Sequence, residues 1–113
     1  MERFTAGQIV VLPFPFSDLT QNKFRPALLL ADAGRGDWIA CQITSNAYAD
    51  VRAVVISEGD FINGGLLRQS YARAGKLFTA NEILFRRVAG TLQADMLIKT
   101  RKAVIQLLQS ELI

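Results

Sequence analysis

Arg25 and Thr44 are the two residues of this sequence whose side chains we expect to act together on an anion. A guanidinium can grip two oxygens of a phosphate through its planar fork, and a hydroxyl can donate a hydrogen bond to the same negative charge. The chain has no histidine, which removes the commonest general acid or base at neutral pH and the commonest metal ligand. Any catalysis must therefore use other groups, and an arginine beside a hydroxyl is the first candidate.

A predicted hairpin brings these two residues together. The runs Arg25–Asp32 and Asp37–Ser45 have the apolar content of strands, and the glycines of the intervening Ala33–Gly36 are typical of a tight turn. If the two middle residues of that turn form the loop, the register places Arg25 opposite Thr44, with Cβ atoms roughly 5 Å apart.

The two faces of this hairpin differ in polarity. One face is uniformly apolar, so we expect it to pack in the core. It holds Pro26, Leu28, Leu30, Ile39, Cys41 and Ile43. The other face carries Arg25 and Thr44, and next to them Ala27 opposite Gln42. We expect the chemistry of the chain on this second face.

The rest of the chain shows further strand patterns and their connections. Three more strands are predicted, at Gln8–Phe14, Val51–Ser57 and Ser70–Ala80. Gly75 inside the last of them predicts a bulge or a close backbone approach. Two stretches are predicted as connections and one as a short segment before the final element: Pro15–Phe24, Glu58–Gly65 and Arg86–Leu92.

From about Ala94 to Leu112, apolar residues recur at helical spacing, which predicts one C-terminal amphipathic helix. They are Leu97, Val104, Leu107, Leu108 and Leu112. We expect this helix to cover one end of the strands. The predicted fold class is therefore mainly β (α+β) with one helix, in a single domain over residues 1–113.

Composition excludes several classes of protein. The net charge of +3 permits nucleic acid as a partner without requiring it. A lone cysteine, Cys41, excludes an internal disulfide and a CxxC zinc site. The carboxylates are scattered except for Glu58 and Asp60, which makes a two-metal centre unexpected. No apolar run approaches a membrane span and no signal peptide is visible, so we expect a cytoplasmic protein with no membrane partner.

Short motifs follow one another along nearly the whole chain: Gly7-Gln8-Ile9-Val10, Arg25-Pro26-Ala27-Leu28, Ile43-Thr44-Ser45, Ser70-Tyr71-Ala72-Arg73, Leu77-Phe78-Thr79 and Gly90-Thr91-Leu92. In order and spacing they resemble the successive motifs of the MazF/PemK toxins. The resemblance implies a small Src-homology-3-like β-barrel of the CcdB/PemK/MazF type. It also implies a homodimeric endoribonuclease that cleaves single-stranded mRNA without metal or cofactor, inhibits translation and growth, and is neutralised by a cognate antitoxin.

The resemblance also implies roles for particular residues. Arg25 and Thr44 match the family's reactive arginine and threonine or serine, which agrees with the register of the hairpin. Five residues are expected to bind RNA: Lys23, Phe24, Ser45, Arg73 and Lys76. Some members of the family carry an acidic residue where this chain has Gly75, so the general base is unidentified.

Two alternatives to a nuclease remain open. One is a toxin like CcdB, which resembles this fold but poisons DNA gyrase through protein contacts. The other is a family member that has lost catalysis and only binds an antitoxin or nucleic acid, as the glycine at position 75 would allow. Cleavage of RNA, or its absence, separates both from the first hypothesis.

Overall fold

A computed structural model describes residues 3–14, 23–46 and 51–110 of the chain. Within these ranges seven strands precede one helix. They are β1 (Gln8–Phe14), β2 (Lys23–Gly34), β3 (Asp37–Thr44), β4 (Ala53–Ile56), β5 (Phe61–Gly64), β6 (Ser70–Asn81), β7 (Arg87–Leu92) and the helix α1 (Ala94–Gln109). The predicted class, mainly β with one C-terminal helix, is confirmed.

The strands form one antiparallel sheet in the order β4-β6-β3-β2-β1-β7-β5. β4 and β5 are its two edges, and among the described residues they pair only with β6 and β7. The barrel-like sheet is therefore open rather than closed by a continuous ladder.

β5 is a strand that the sequence pattern did not predict. The segment Glu58–Gly65 was expected to be a connection, but it contains a 3₁₀ turn at Glu58–Asp60 followed by β5. Phe61–Gly64 has no alternating pattern of its own. It is a strand because its backbone pairs with that of β7. A four-residue strand at a sheet edge takes its conformation from its partner rather than from local propensity.

Two apolar cores lie on opposite faces of the central strands. The first is lined by Ile9, Leu28, Leu30, Cys41, Ile43, Val54, Ile56, Ala72, Leu92 and Met96, so all strands except β5 supply buried members. The second contains Val10, Leu12, Phe14, Ala27, Leu29, Trp38, Ala40 and Ala80. The expectation that only one face of the hairpin is apolar was therefore wrong. Both faces are buried in the middle of the hairpin, whereas Arg25, at one end of the second face, is exposed.

The structure corrects the predicted register of the hairpin and the predicted burial of Ile39. The register shifts between Leu29 and Ala31, so that Ile39 pairs with Ala31 and not with Leu30. Trp38 and Ala40, on either side of Ile39, are buried in the second core, so Ile39 keeps the face of Cys41 but lies outside the first core. Its surface is 39% exposed, although it was predicted in the core. The turn itself is also displaced by one residue, onto Arg35 and Gly36, both of which have positive φ.

α1 covers the first core as predicted, and Leu97 and Val104 pack against that core. Met96 and Thr100 are its buried side chains, and Leu107 is half-buried. Leu108, which was expected to share this face, is 71% exposed. Leu108 points about 100° away from Leu107, on the side of the helix that faces solvent. The predicted end at Leu112 lies outside the described residues.

Candidate active site

Arg25 lies on β2 where the second face of the sheet reaches solvent. It pairs with Leu12 of β1, and its side chain is exposed. Lys23, two residues earlier in the same strand, pairs with Phe14 and is exposed as well. Alternation along a strand puts both cations on the same face, so this end of β2 presents two positive charges to solvent.

Thr44 is the last residue of β3 and is half-buried. Its Oγ1 accepts a hydrogen bond from the backbone N–H of Asn46 at 3.1 Å. A hydroxyl has one donor and two acceptor positions, so this contact leaves its hydrogen able to point away from the backbone. The Thr44 hydroxyl can therefore donate a hydrogen bond to an anion.

The ladder between β2 and β3 puts these two residues on the same face. Ala27 pairs with Gln42, as the turn-based register predicted. Arg25 and Thr44 each lie two residues beyond that pair, and alternation keeps them on the face of Gln42. One group is exposed and the other half-buried, so the pair lies at an accessible place and not in the interior.

β6 adds a second arginine beside this pair. The Arg73 guanidinium donates a hydrogen bond from Nη1 to Oε1 of Gln42 at 3.3 Å. Opposite Gln42 the ladder is interrupted, because Cys41 pairs with Leu77 whereas Ile43 pairs with Ala72. Residues 73–76 of β6 therefore form a bulge, as the glycine in this strand predicted.

Gly75 occupies this bulge with its Cβ direction toward the helix. A Cβ built there would lie 3.8 Å from Cδ2 of Leu107, and the backbone φ is not positive. A side chain at this position would be directed at α1, which packs on the first core, and not along the direction of the Arg73 side chain. The general base remains without an assigned residue.

The remaining predicted residues occupy different positions. Phe24 is 50% exposed and alternates to the face opposite Arg25, where the Arg86 guanidinium lies 4.8 Å from the centre of its ring. Ser45 is exposed just beyond the end of β3, and Lys76 is exposed in the bulge of β6. The structure thus groups Arg25, Thr44 and Arg73 on one face and leaves Phe24 outside that group.

Tyr71 was not singled out as a site residue from the sequence. It pairs directly with Thr44 across β3 and β6, which puts it on the same face, and it is half-buried. Its hydroxyl accepts a hydrogen bond from Nε2 of Gln69 at 3.3 Å. The motif Ser70-Tyr71-Ala72-Arg73 contained this residue, but only the ladder shows that it stands beside Thr44.

The described residues include no group of three or more histidine, cysteine, aspartate or glutamate side chains that could hold a metal ion. Among these same residues, no helix is long and apolar enough to cross a membrane. Cys41 is buried in the first core, and burial raises the pKa of its thiol from 9.0 to about 12. This cysteine is therefore a packing residue and not a nucleophile.

Comparison with known proteins places this geometry in context. The family model described as PemK-like, MazF-like toxin of type II toxin-antitoxin system matches residues 5–108. No curated protein sequence is significantly similar to the chain.

Solved structures share the fold over nearly the whole chain. MazF in a MazE–MazF crystal structure from Deinococcus radiodurans is 24% identical with a TM-score of 0.75, and the match covers 97% of this chain and 100% of that one. An endoribonuclease from a mycobacterial species, solved with its cognate antitoxin, is 15% identical with a TM-score of 0.71 and full coverage of both chains. The Mycobacterium tuberculosis toxin MazF-mt6 is 16% identical with a TM-score of 0.69, covering 93% and 99%.

Proposed function

Because this chain belongs to the PemK-like, MazF-like toxin family of type II toxin-antitoxin systems, we propose that it is an endoribonuclease that cleaves single-stranded RNA. The observation that carries the proposal is the exposed Arg25 on the same face as Thr44, a half-buried residue with a hydroxyl. An accessible cation and a hydroxyl donor suit a phosphodiester, which is anionic before cleavage and gains charge during it.

RNA supplies its own nucleophile, so the protein needs few groups. The 2′-hydroxyl oxygen attacks the adjacent phosphorus and loses its proton to an acceptor. The bond from phosphorus to the 5′ oxygen breaks, and that oxygen leaves with a proton. The products are a 2′,3′-cyclic phosphate and a 5′-hydroxyl. The additional negative charge of the pentavalent intermediate is what Arg25 and Thr44 would stabilise.

Each residue of the site has a distinct role in this mechanism. Arg25 clamps non-bridging phosphate oxygens, because a guanidinium stays protonated at neutral pH and is a poor base. Thr44 donates its hydroxyl hydrogen to the same oxygens while Asn46 holds its oxygen in place. Arg73, held by Gln42, binds a neighbouring phosphate. Tyr71 stands beside Thr44, within reach of the ribose or the phosphate.

Lys23, Lys76, Ser45 and Phe24 complete the proposed RNA-binding set. The two lysines would contact phosphates, and Ser45 would contribute a hydroxyl at the end of β3. Arg86 covers part of the Phe24 ring, and half of the Phe24 surface stays exposed. That exposed half would stack on a base, a contact worth roughly 1–3 kcal/mol.

The proposed partners follow from the same family. Structures with this fold include MazF with MazE and a mycobacterial endoribonuclease with its cognate antitoxin. We propose that a cognate antitoxin binds and neutralises this chain as well. The toxin would act as a homodimer in the cytoplasm, where it meets mRNA and would inhibit translation and growth.

The first prediction concerns RNA cleavage in EDTA. Purified protein should cut mixed-sequence RNA with the chelator present, because the chemistry needs no metal. Arg25→Ala and Thr44→Val should each lower the cleavage rate by about 100-fold or more, the usual effect of removing one group that stabilises transition-state charge. Gel analysis of labelled RNA measures the rate.

Matched variants separate chemistry from folding. Thr44→Ser keeps the hydroxyl and should retain most of the activity, whereas Thr44→Val keeps the shape and loses the hydroxyl. Arg87→Ala, an exposed arginine on β7, should leave the rate within about twofold. Cleavage that disappears in EDTA, or that survives both Arg25→Ala and Thr44→Val, would exclude this mechanism. Gyrase binding without RNA cleavage would favour a toxin like CcdB instead.

A further inference from the structure

A basic pocket lies between the edge strand β4 and the helix α1. Its volume is about 490 Å³, within the range of small-ligand sites. The residues that line it are Val51, Arg52, Ala53, Val54, Lys99, Lys102, Ala103 and Gln106. Among these described residues, every charged side chain is a cation. We call this set the basic pocket.

The two lysines of the basic pocket are arranged by the helix. Lys99 and Lys102 are three residues apart, so they project from one face of α1 one above the other. Both are exposed, as is Arg52 just before β4. The core-facing side of α1, with Met96 and Thr100, is separate from this cationic face. The pocket therefore concentrates positive charge at the surface, where an anion can reach it.

The basic pocket adjoins the candidate active site through the bulge of β6. Ala53, which lines the pocket, pairs directly with Arg73. The same bulge approaches α1 at Leu107, adjacent in sequence to Gln106 of the pocket. From Gln42 to Ala53 the path crosses two strand spacings, about 10 Å. Arg73 lies on the second face of the sheet and α1 on the first, so an RNA chain leaving Thr44 past Arg73 would bend around the edge strand β4 to reach the pocket.

We propose that the basic pocket binds the phosphate backbone of the RNA several nucleotides from the bond that is cut. This inference rests on the proposed function and extends it from a single phosphate to a track of phosphates. The track begins at Arg25, passes Arg73 and ends at Lys99 and Lys102. A backbone of regularly spaced negative charges fits cations that continue across two elements from the site of cleavage.

The test compares two RNA lengths with a variant that lacks both lysines of the pocket. The probes are fluorescent 2′-O-methyl RNAs of about 2 and about 20 nucleotides, which lack the attacking hydroxyl and so report binding alone; the short one cannot extend from the site to the pocket. In Lys99→Gln with Lys102→Gln, the dissociation constant of the long probe should rise about tenfold. The slope of its logarithm against log salt should fall by roughly 1.4, about 0.7 for each lost phosphate contact. The short probe should bind as it does to the unaltered protein.

A matched control removes the same charge elsewhere. Arg3→Gln with Arg87→Gln changes two exposed arginines, one before β1 and one on β7 near the other edge of the sheet. This variant should bind both probes normally. Equal weakening by the control, or an unchanged dissociation constant for the long probe in the lysine variant, would overturn the proposal. The proposal would also be overturned if the lysine variant lost affinity for a polyglutamate peptide but kept its affinity for the long RNA probe. The pocket would then bind an acidic polypeptide.

Failure of the proposed function would look different. If the protein cuts no RNA, the nuclease hypothesis is excluded. Its affinity for the non-cleavable probes still tests the role of the basic pocket. If cleavage is found, the lysine variant should raise the KM of a long RNA and leave kcat unchanged, because the lysines lie away from the scissile phosphate.

Discussion

At the scale of single residues, Thr44 shows how a backbone contact can direct a side chain. The sequence predicted Thr44 opposite Arg25, because side chains alternate along a strand with period two and the turn sets the register. It did not show that Asn46 donates to the Thr44 oxygen or that Tyr71 stands beside it. Those contacts depend on the end of β3 and on pairing with β6, so only the structure could supply them.

Cys41 leads to a prediction about pH. Burial raises the pKa of this thiol to about 12, so the folded protein holds it protonated. We expect no reaction of the native protein with a thiol reagent at mildly alkaline pH, and complete reaction of one thiol per chain in denaturant. Below about pH 9 both states keep the proton and the thiol adds no pH dependence to stability.

Between about pH 9 and pH 12 the unfolded chain loses the thiol proton while the folded chain keeps it. The free energy of unfolding should therefore fall as the pH rises through this window. The stability difference between the unaltered protein and Cys41→Ala, measured by urea unfolding, should shrink over the same range. A thiol that reacts readily in the native state would contradict this account.

At the scale of the elements, the close pairing of β5 with β7 requires a glycine at position 64. Its φ is +67°, and a Cβ there would meet the Ala89 carbonyl oxygen and lie 2.6 Å from Cα of Gly90. Gly64→Ala should therefore lower the free energy of unfolding by more than about 2 kcal/mol. Urea unfolding measures this change.

Gly59 provides the control for that substitution. It lies in the 3₁₀ turn before β5 without a positive φ, and no heavy atom would lie within 4 Å of an added Cβ. Gly59→Ala should change stability by less than about 0.5 kcal/mol. Similar losses in the two variants would mean that crowding between β5 and β7 is not the cause.

Arg101 ties the helix to the hairpin. Its Nε and Nη2 donate hydrogen bonds of 2.9 and 2.7 Å to the carbonyl oxygen of Leu30. Leu30 lies at the register shift of β2 and is skipped in the ladder between β2 and β3. Arg101→Met keeps the aliphatic stem and should cost about 1–3 kcal/mol of stability in urea unfolding. Lys99→Met, an exposed change on the same helix, should cost less than about 0.5 kcal/mol.

At the scale of the whole molecule, one apolar stripe of α1 faces solvent. Ile98, Ile105 and Leu108 are at least 49% exposed and recur at intervals of seven and three residues. An apolar stripe of this kind favours contact with another protein surface, and symmetric dimers are the commonest assemblies. We expect light scattering to give about twice the chain mass of 12.5 kDa.

The substitution Ile105→Glu, which puts a charge in the stripe, should shift the mass toward that of the monomer. A monomer mass for the unaltered protein at micromolar concentration would contradict the dimer.

The sequence by itself determined the elements whose patterns are local. Alternation and turn residues predicted β1 at its observed bounds, the β2–β3 hairpin with Ala27 opposite Gln42, and β6 with its bulge. Helical spacing predicted α1. These signals repeat within a few residues along the chain, so neighbouring residues are sufficient to show them.

Only the tertiary structure decided the features that join distant segments. β5 is a strand because β7 pairs with it, Ile39 is exposed because the first core does not extend to it, and the second core exists because the central strands are covered on both faces. The pairing of Tyr71 with Thr44 and the pocket between β4 and α1 have the same origin. Each depends on contacts between residues far apart in the chain, and no local pattern of apolar and polar residues specifies such contacts.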